Sequence, residues 1–155
     1  MIRLTLPWPI SINAYWKSRI LPRCGAPPIV STYVTAAGVK FQKEVLAAVI
    51  EQLGQHSPLH GRLKVSMRFY QPSARKCDIS NYVKTTEDAL TKARVWIDDE
   101  QIDEEHIYRM PIDRVNPRAE IEIYEIGAVE EFKAIKKSRR DEYQELIKRL
   151  TEKRA

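Results

Sequence analysis

The feature that most constrains this chain is a change of hydrophobic period between residues 63 and 93. Leu63, Val65, Met67 and Phe69 alternate with Lys64, Ser66 and Arg68, the spacing of a strand that buries one face. Pro72 stops that strand. From Ile79 the period becomes 3.6. Ile79, Tyr82, Val83, Thr86, Leu90 and Ala93 fall on one helical face, and Asn81, Lys84, Asp88 and Lys92 on the other. A strand leading straight into an amphipathic helix points to a mixed fold. Ile2, Leu4 and Leu6 read as a further short strand, closed by Pro7 and Pro9. Thr35 caps an expected helix over residues 36–53, with Phe41, Val45, Val49 and Leu53 as its stripe and Gly54 at its end. Two more strands are expected around residues 105–111 and 119–126, joined through Asp113, Asn116 and Pro117.

Between these elements, residues 7–34 read as a long proline-rich, basic and aromatic connection, in which Pro22, Pro27 and Pro28 forbid a long helix. From Ala128 onward the chain reads as one charged amphipathic helix. The order β-α-β-α-β-β-α predicts an α+β domain, a small mixed sheet of about four strands packed with helices. Its expected limits are residues 1–127, followed by a helical extension over 128–155. A chain of 155 residues supports one such domain.

Charge is divided unevenly along this frame. Residues 1–76 hold eleven basic and two acidic side chains, residues 77–127 six and thirteen, and residues 128–155 nine and six. The net +5 therefore conceals blocks of +9, −7 and +3. A basic half beside an acidic block suggests a polyanion partner together with a bound cation; ordinary balanced surface charge is the alternative. Cys24 and Cys77 form no CxxC pair and no zinc set. With no disulfide framework, no leader-like apolar run after MIRLTLPWP and no stretch of about 20 apolar residues, a cytoplasmic protein without a membrane span is expected.

Candidate chemistry is concentrated in KCDISNYVKTTEDALTKARVWIDDEQI, residues 76–102. Asp78 stands where strand hands over to helix, and Asp98 and Asp99 follow that helix. For them to converge, the chain must fold back through residues 93–97. Three carboxylates so gathered would repel one another unless a divalent cation lay between them, and hard oxygen donors suit Mg²⁺ or Mn²⁺. Lys84, on the polar face one turn past Asn81, is placed to hold a phosphate or to stabilise developing charge. Spacing alone favours the plainer reading, with Asp78 as an N-cap and Lys84–Asp88 as a surface pair, over a metal site.

The same segment resembles the signature of the RusA-type Holliday junction resolvases: Asp-x-Asp-Asn, a lysine three residues on, Asp-Ala-Leu, then Asp-Asp-x-Gln. Asp78, Asn81, Lys84, Asp88-Ala89-Leu90 and Asp98-Asp99-Glu100-Gln101 stand in register with it. The opening LTLPWPISINAYW is similar to that family's first strand and Leu-Pro-Trp-Pro element, with Asn13 and Tyr15 matching its polar and aromatic positions. The resemblance covers residues 2–126. It implies a homodimer that cuts four-way DNA junctions by paired symmetric nicks, with Mg²⁺ or Mn²⁺ and no organic cofactor. Carried over by position, Asp78 and Asp99 are metal ligands with Asp98 beside them, and Lys84 is the essential basic residue.

One position departs from the signature. Its second aspartate is Ser80 here, and a neutral hydroxyl is a poorer ligand for a hard cation than a carboxylate. This leaves open an active enzyme, a weakened one, or a junction binder that does not cut. Under the resemblance, the expected DNA contacts are Lys17, Arg19, Arg23, Arg68, Arg75, Lys76, Asn81 and, from the long connection, Trp16. Trp8 is expected in the core. An unrelated basic module binding nucleic acid is the remaining alternative. His56, His60 and His106 lack metal-ligand spacing, and DDEQIDEE at 98–105 lacks the central glycine of an EF-hand loop.

Overall fold

The computed structural model describes residues 1–127; the helix expected over 128–155 lies outside the described residues. In chain order the elements are β1 (Ile2–Pro7), α1 (Ile12–Tyr15), β2 (Trp16–Arg23), β3 (Ala26–Val34), α2 (Ala36–Leu53), β4 (Arg62–Tyr70), α3 (Ser80–Lys92), a 3-10 turn (Asp99–Gln101), β5 (Ile102–Arg109) and β6 (Arg118–Gly127). The main sheet has the order β1-β6-β4-β5. β6 runs antiparallel to both β1 and β4, while β4 and β5 are parallel. The sheet is therefore mixed and four-stranded, as the alternating patterns predict. A parallel pair needs a long crossover, and α3 supplies it between β4 and β5.

The alternation in β4 sorts its two faces. Leu63, Val65, Met67 and Phe69 are fully buried with Leu4, Leu6, Ile121 and Ile123 from the neighbouring strands. Phe41, Val45 and Val49 of α2 and Val83, Ala89 and Leu90 of α3 complete that core. Each such side chain other than Ala89 stabilises the fold by about 1.5–3 kcal/mol. The opposite face carries charge: Lys64 pairs with Glu104 at 2.8 Å, and Arg68 and Arg3 both reach Glu122, at 3.1 and 3.3 Å.

Local signals act as read for α2. Thr35 accepts the amide N–H of Gly38 at 3.1 Å, and Gly54 closes the helix with φ of 65°. The fold-back after α3 also forms. Arg94 adopts the left-handed φ of 59°, the Val95 amide donates to the Leu90 carbonyl at 3.1 Å, and Trp96 is buried with its indole N–H on Thr91 Oγ1.

Residues 7–34 differ from expectation. They are not a structureless connection but a short helix, α1, followed by a two-stranded antiparallel ribbon of β2 and β3. Pro22, Pro27 and Pro28 exclude a helix there, yet both strands of such a ribbon are edges. Proline can face away from the ladder without removing a bond. The β-branched Ile20, Ile29, Val30, Thr32 and Val34 favour the extended backbone. The main strand after the fold-back also begins earlier than read, at Ile102. Among the described residues no helix is long and apolar enough to cross a membrane, and both cysteines are free thiols.

Candidate functional site

Two stretches about sixty residues apart in sequence meet in one cleft of about 590 Å³. The N-terminal segment lines it with Trp8, Ser11 and Asn13, and the segment between β4 and α3 lines it with Arg75, Lys76, Cys77, Asp78, Asn81 and Tyr82. Trp8 joins the cleft to the core. It is half-buried against the core, 4.9 Å from the Tyr82 ring and edge-on to Phe69 at 6.2 Å. Asp78 stands at the head of α3, where its Oδ1 accepts the Ser80 amide N–H at 3.1 Å. This meets one of the orphan donors of the helix start and holds a carboxylate at the positive end of the helix dipole.

The cleft rim is fixed by a residue that the sequence did not single out. Arg109, at the end of β5, donates to Gln71 Oε1 at 2.8 Å and to the Cys77 carbonyl at 2.9 Å. Gln71, itself buried, donates to Cys77 Sγ. The loop carrying Arg75, Lys76 and Asp78 is thereby tied to the sheet. Period and composition mark Arg109 only as an ordinary strand residue, so no signal pointed to it.

The second acidic position is a built turn. Gln101 is almost completely buried. Its Oε1 accepts the amides of Ile97 and Asp98 at 2.8 and 3.0 Å, and its Nε2 donates to the carbonyls of Leu59 and Gly61 at 3.0 and 2.8 Å. Asp98 caps the 3-10 turn by accepting the Glu100 amide at 2.9 Å. Gln101, which the sequence marks only as the last letter of a motif, is thus the clamp that presents Asp98 and Asp99.

Lys84 bridges this turn to α3. Its ammonium bonds Asp99, lies 3.2 Å from Asp88 Oδ1 and 3.9 Å from Glu87 Oε2. Burial would lower its pKa, but the bonds to Asp99 and Asp88 outweigh it and hold the ammonium above the ordinary lysine range. In turn the bond from Lys84 holds the Asp99 carboxyl below its usual value. Glu87 behaves oppositely: burial, then the neighbouring Glu105 charge, push it up to about 7. Glu87, Asp99, Asp103 and Glu105 line a separate acidic hollow of about 240 Å³. Tyr15 is fully buried near this polar face of α3. Burial raises its pKa, the bond from the Gln42 amide lowers it, and the Asp88 charge raises it again.

The structure brings Asp78, Asn81, Arg75 and Lys76 together in the cleft, and Asp98 and Asp99 together on the turn beside Lys84. Ser80 is the first residue of α3, one helical turn before Lys84. Among the described residues no group of three or more His, Cys, Asp or Glu side chains is placed to hold a metal ion. The donor chemistry still fits Mg²⁺. That ion is commonly held by one or two carboxylates with waters and phosphate oxygens rather than by a protein cage.

The basic residues divide into two populations. Arg68 lies on the open sheet face, paired with Glu122 and stacked on Tyr108 at 5.5 Å, and is not brought to the cleft. Lys17, Arg19, Arg23, Arg75 and Lys76 make no ion pair among the described residues. Trp16 sits at the base of the ribbon, 37% exposed, edge-on to Tyr15.

Fold and site define a small α+β domain with a cation-lined cleft beside a lysine-bridged acidic turn, the class of protein suited to holding polyanions. The family model described as endodeoxyribonuclease RusA matches residues 9–124. The chain is 32% identical to the crossover junction endodeoxyribonuclease RusA of Escherichia coli strain K12, an alignment covering 80% of this chain and 94% of the relative. With the same coverage it is 31% identical to the enzyme of that name from Enterobacteria phage 82 and 30% to that of Shigella sonnei strain Ss046. The chain belongs to the RusA family.

Proposed function

We propose that this protein is a structure-selective DNA endonuclease that resolves four-way junctions by paired symmetric nicks, acting as a cytoplasmic homodimer. The observation that carries the reading is the convergence of two distant stretches on one cleft that joins free cations to Asp78. Arg75, Lys76 and Asn81 bind and orient a backbone phosphate, and Lys17, Arg19, Arg23 and Trp16 extend the contact along the DNA. Asp78 and Asp99 hold Mg²⁺ or Mn²⁺, with Asp98 beside them shaping the turn. When bound, such an ion supplies Lewis-acid polarisation of the phosphate and a better water nucleophile. Lys84, fully protonated at neutral pH, offsets charge that develops on the phosphate as the phosphodiester is hydrolysed.

Incubating the protein with an end-labelled four-way junction and Mg²⁺ or Mn²⁺ tests this. Paired nicks across the junction, abolished by Asp99→Asn and by chelator, are expected. A second reading, a junction binder that does not cut, is favoured by Ser80, a neutral hydroxyl where the family signature has a carboxylate. Tight junction binding without nicks, with cutting gained by Ser80→Asp, is its signature. Equal affinity for linear duplex and junction contradicts both readings and leaves a general nucleic-acid binder.

A further inference from the structure

The β2–β3 ribbon has two chemically different faces. Strand alternation and the register of the pair place Lys17, Arg19 and Leu21 beside Tyr33, Ser31 and Ile29 on one face. Arg19 stacks over the Tyr33 ring at 5.4 Å. The other face carries Trp16, Ser18 and Ile20 beside Val34, Thr32 and Val30. Its base is docked on the body: Trp16 meets Tyr15, and Val34 packs so close to Gly38 that a Cβ there would lie 2.5 Å from it. Further out, Ser18 and Thr32 join their hydroxyls at 3.2 Å. Beyond them, about 13 Å along the strand from Trp16, Ile20 and Val30 form a cross-strand pair that is 71% and 70% exposed.

An isolated two-stranded ribbon is marginal in water, and an aliphatic pair at this distance from the core adds only its own small cross-strand contact in the free protein. The occupant is identified by charge. No acidic residue occurs between Met1 and Lys43, so the ribbon presents positive, hydroxyl and apolar groups but no negative charge to whatever covers it. DNA matches the positive and the apolar groups. A phosphate backbone suits Lys17 and Arg19, and base faces suit aliphatic wedges.

Resting on the junction-cutting reading, we infer that the ribbon is the element that tells a junction from a duplex, with Ile20 and Val30 as a wedge against exposed base-pair faces. Inserting such a pair into a continuous duplex costs the stacking of the step it opens. An open four-way crossing already presents unstacked base-pair ends, so the same contact is gained there without that cost. The Lys17 and Arg19 face holds the adjoining phosphates and is indifferent to branching.

Equilibrium binding of the full chain to a fluorescent four-way junction and to a linear duplex of equal length, over a range of salt, separates these roles. Ile20→Ser with Val30→Ser is expected to weaken junction binding about tenfold and duplex binding less than twofold, in keeping with lost wedge contacts. Lys17→Ala with Arg19→Ala is expected to weaken both alike and to reduce the salt slope by about 2. If the serine pair leaves the junction preference intact, or weakens both DNAs equally, the ribbon is not the discriminating element. If it converts a sedimenting dimer to monomer, the apolar face belongs to a second copy and the inference is overturned. A wild-type chain with no junction preference at all refutes the junction-cutting reading itself, a result distinct from either.

Discussion

The carboxylates flanking α3 stand in opposite electrostatic settings. Asp78, before the helix, lines an open cleft beside Arg75 and Lys76 and makes no ion pair among the described residues. Asp99, after the fold-back, is bonded to Lys84 and presented by a turn whose amides and carbonyls are gathered on Gln101. One acid is prepared for an incoming partner, whereas the other already has a resident counter-charge. A divalent ion or phosphate reaching Asp99 must therefore share it with Lys84, so the lysine sets the charge balance of the whole site. The difference also separates stability from function: the Asp99 side is built into the fold, and the Asp78 side is supported only at its rim.

Breaking the Lys84 link gives the largest expected effect. Lys84→Ala leaves Asp88, Asp99 and Glu87 facing one another, and should reduce single-turnover junction cleavage by about 10²–10³-fold, the scale for losing one charge-stabilising donor. Junction affinity should change far less, as read by fluorescence anisotropy. Next in size is the clamp. Gln101→Ala orphans two amides and two carbonyls in a partly buried setting and should cost about 2–4 kcal/mol in urea unfolding. Removing a side chain from the open cleft, Asn81→Ala, should leave the unfolding midpoint nearly unchanged, within about 0.5 kcal/mol. That contrast fails if Asn81→Ala proves as destabilising as Gln101→Ala.

A smaller and pH-dependent effect is expected at Glu87. Its pKa of about 7 in the fold lies above the ordinary 4.5, so between those values the native state binds the proton more tightly than the unfolded chain. Stability contributed by the protonated group is full below about pH 4.5 and is lost as pH rises through 7. Glu87→Gln should therefore raise the Tm relative to wild type at pH 8, with the gap closing towards pH 4. The least effect belongs to the fold-back. Arg94→Gly relieves a left-handed residue, should add about 0.5–1 kcal/mol in the same urea assay, and should leave cleavage unaltered.

Much of this was legible in the sequence because burial imposes period. The alternation of Leu63 to Phe69 and the helical stripe from Ile79 to Ala93 each record which face meets the core. Thr35 and Gly54 mark helix ends because backbone groups must be satisfied there. The ribbon was not legible for the same reason in reverse: with little core to face, Trp16–Val34 carries no clean period, and its prolines argue against a helix without arguing for strands. The site was legible as residue types, through Asp78, Lys84, Asp98 and Asp99 in a spaced motif. Its support was not. Gln101 and Arg109 act through bonds to residues about forty positions away, at Leu59, Gly61 and Gln71, and nothing local in the chain records such partners.

The comparison of the two acids is tested most directly by single-turnover cleavage of a labelled four-way junction in Mg²⁺. Wild type, Asp78→Asn, Asp99→Asn and the double variant would be compared, with junction affinity measured alongside. If both carboxylates serve one hydrolytic site, each single variant will be as inactive as the double while still binding the junction, because groups acting as a unit are not additive. An Asp78→Asn variant that nicks the junction at the wild-type rate, or losses that multiply as independent steps, would contradict it.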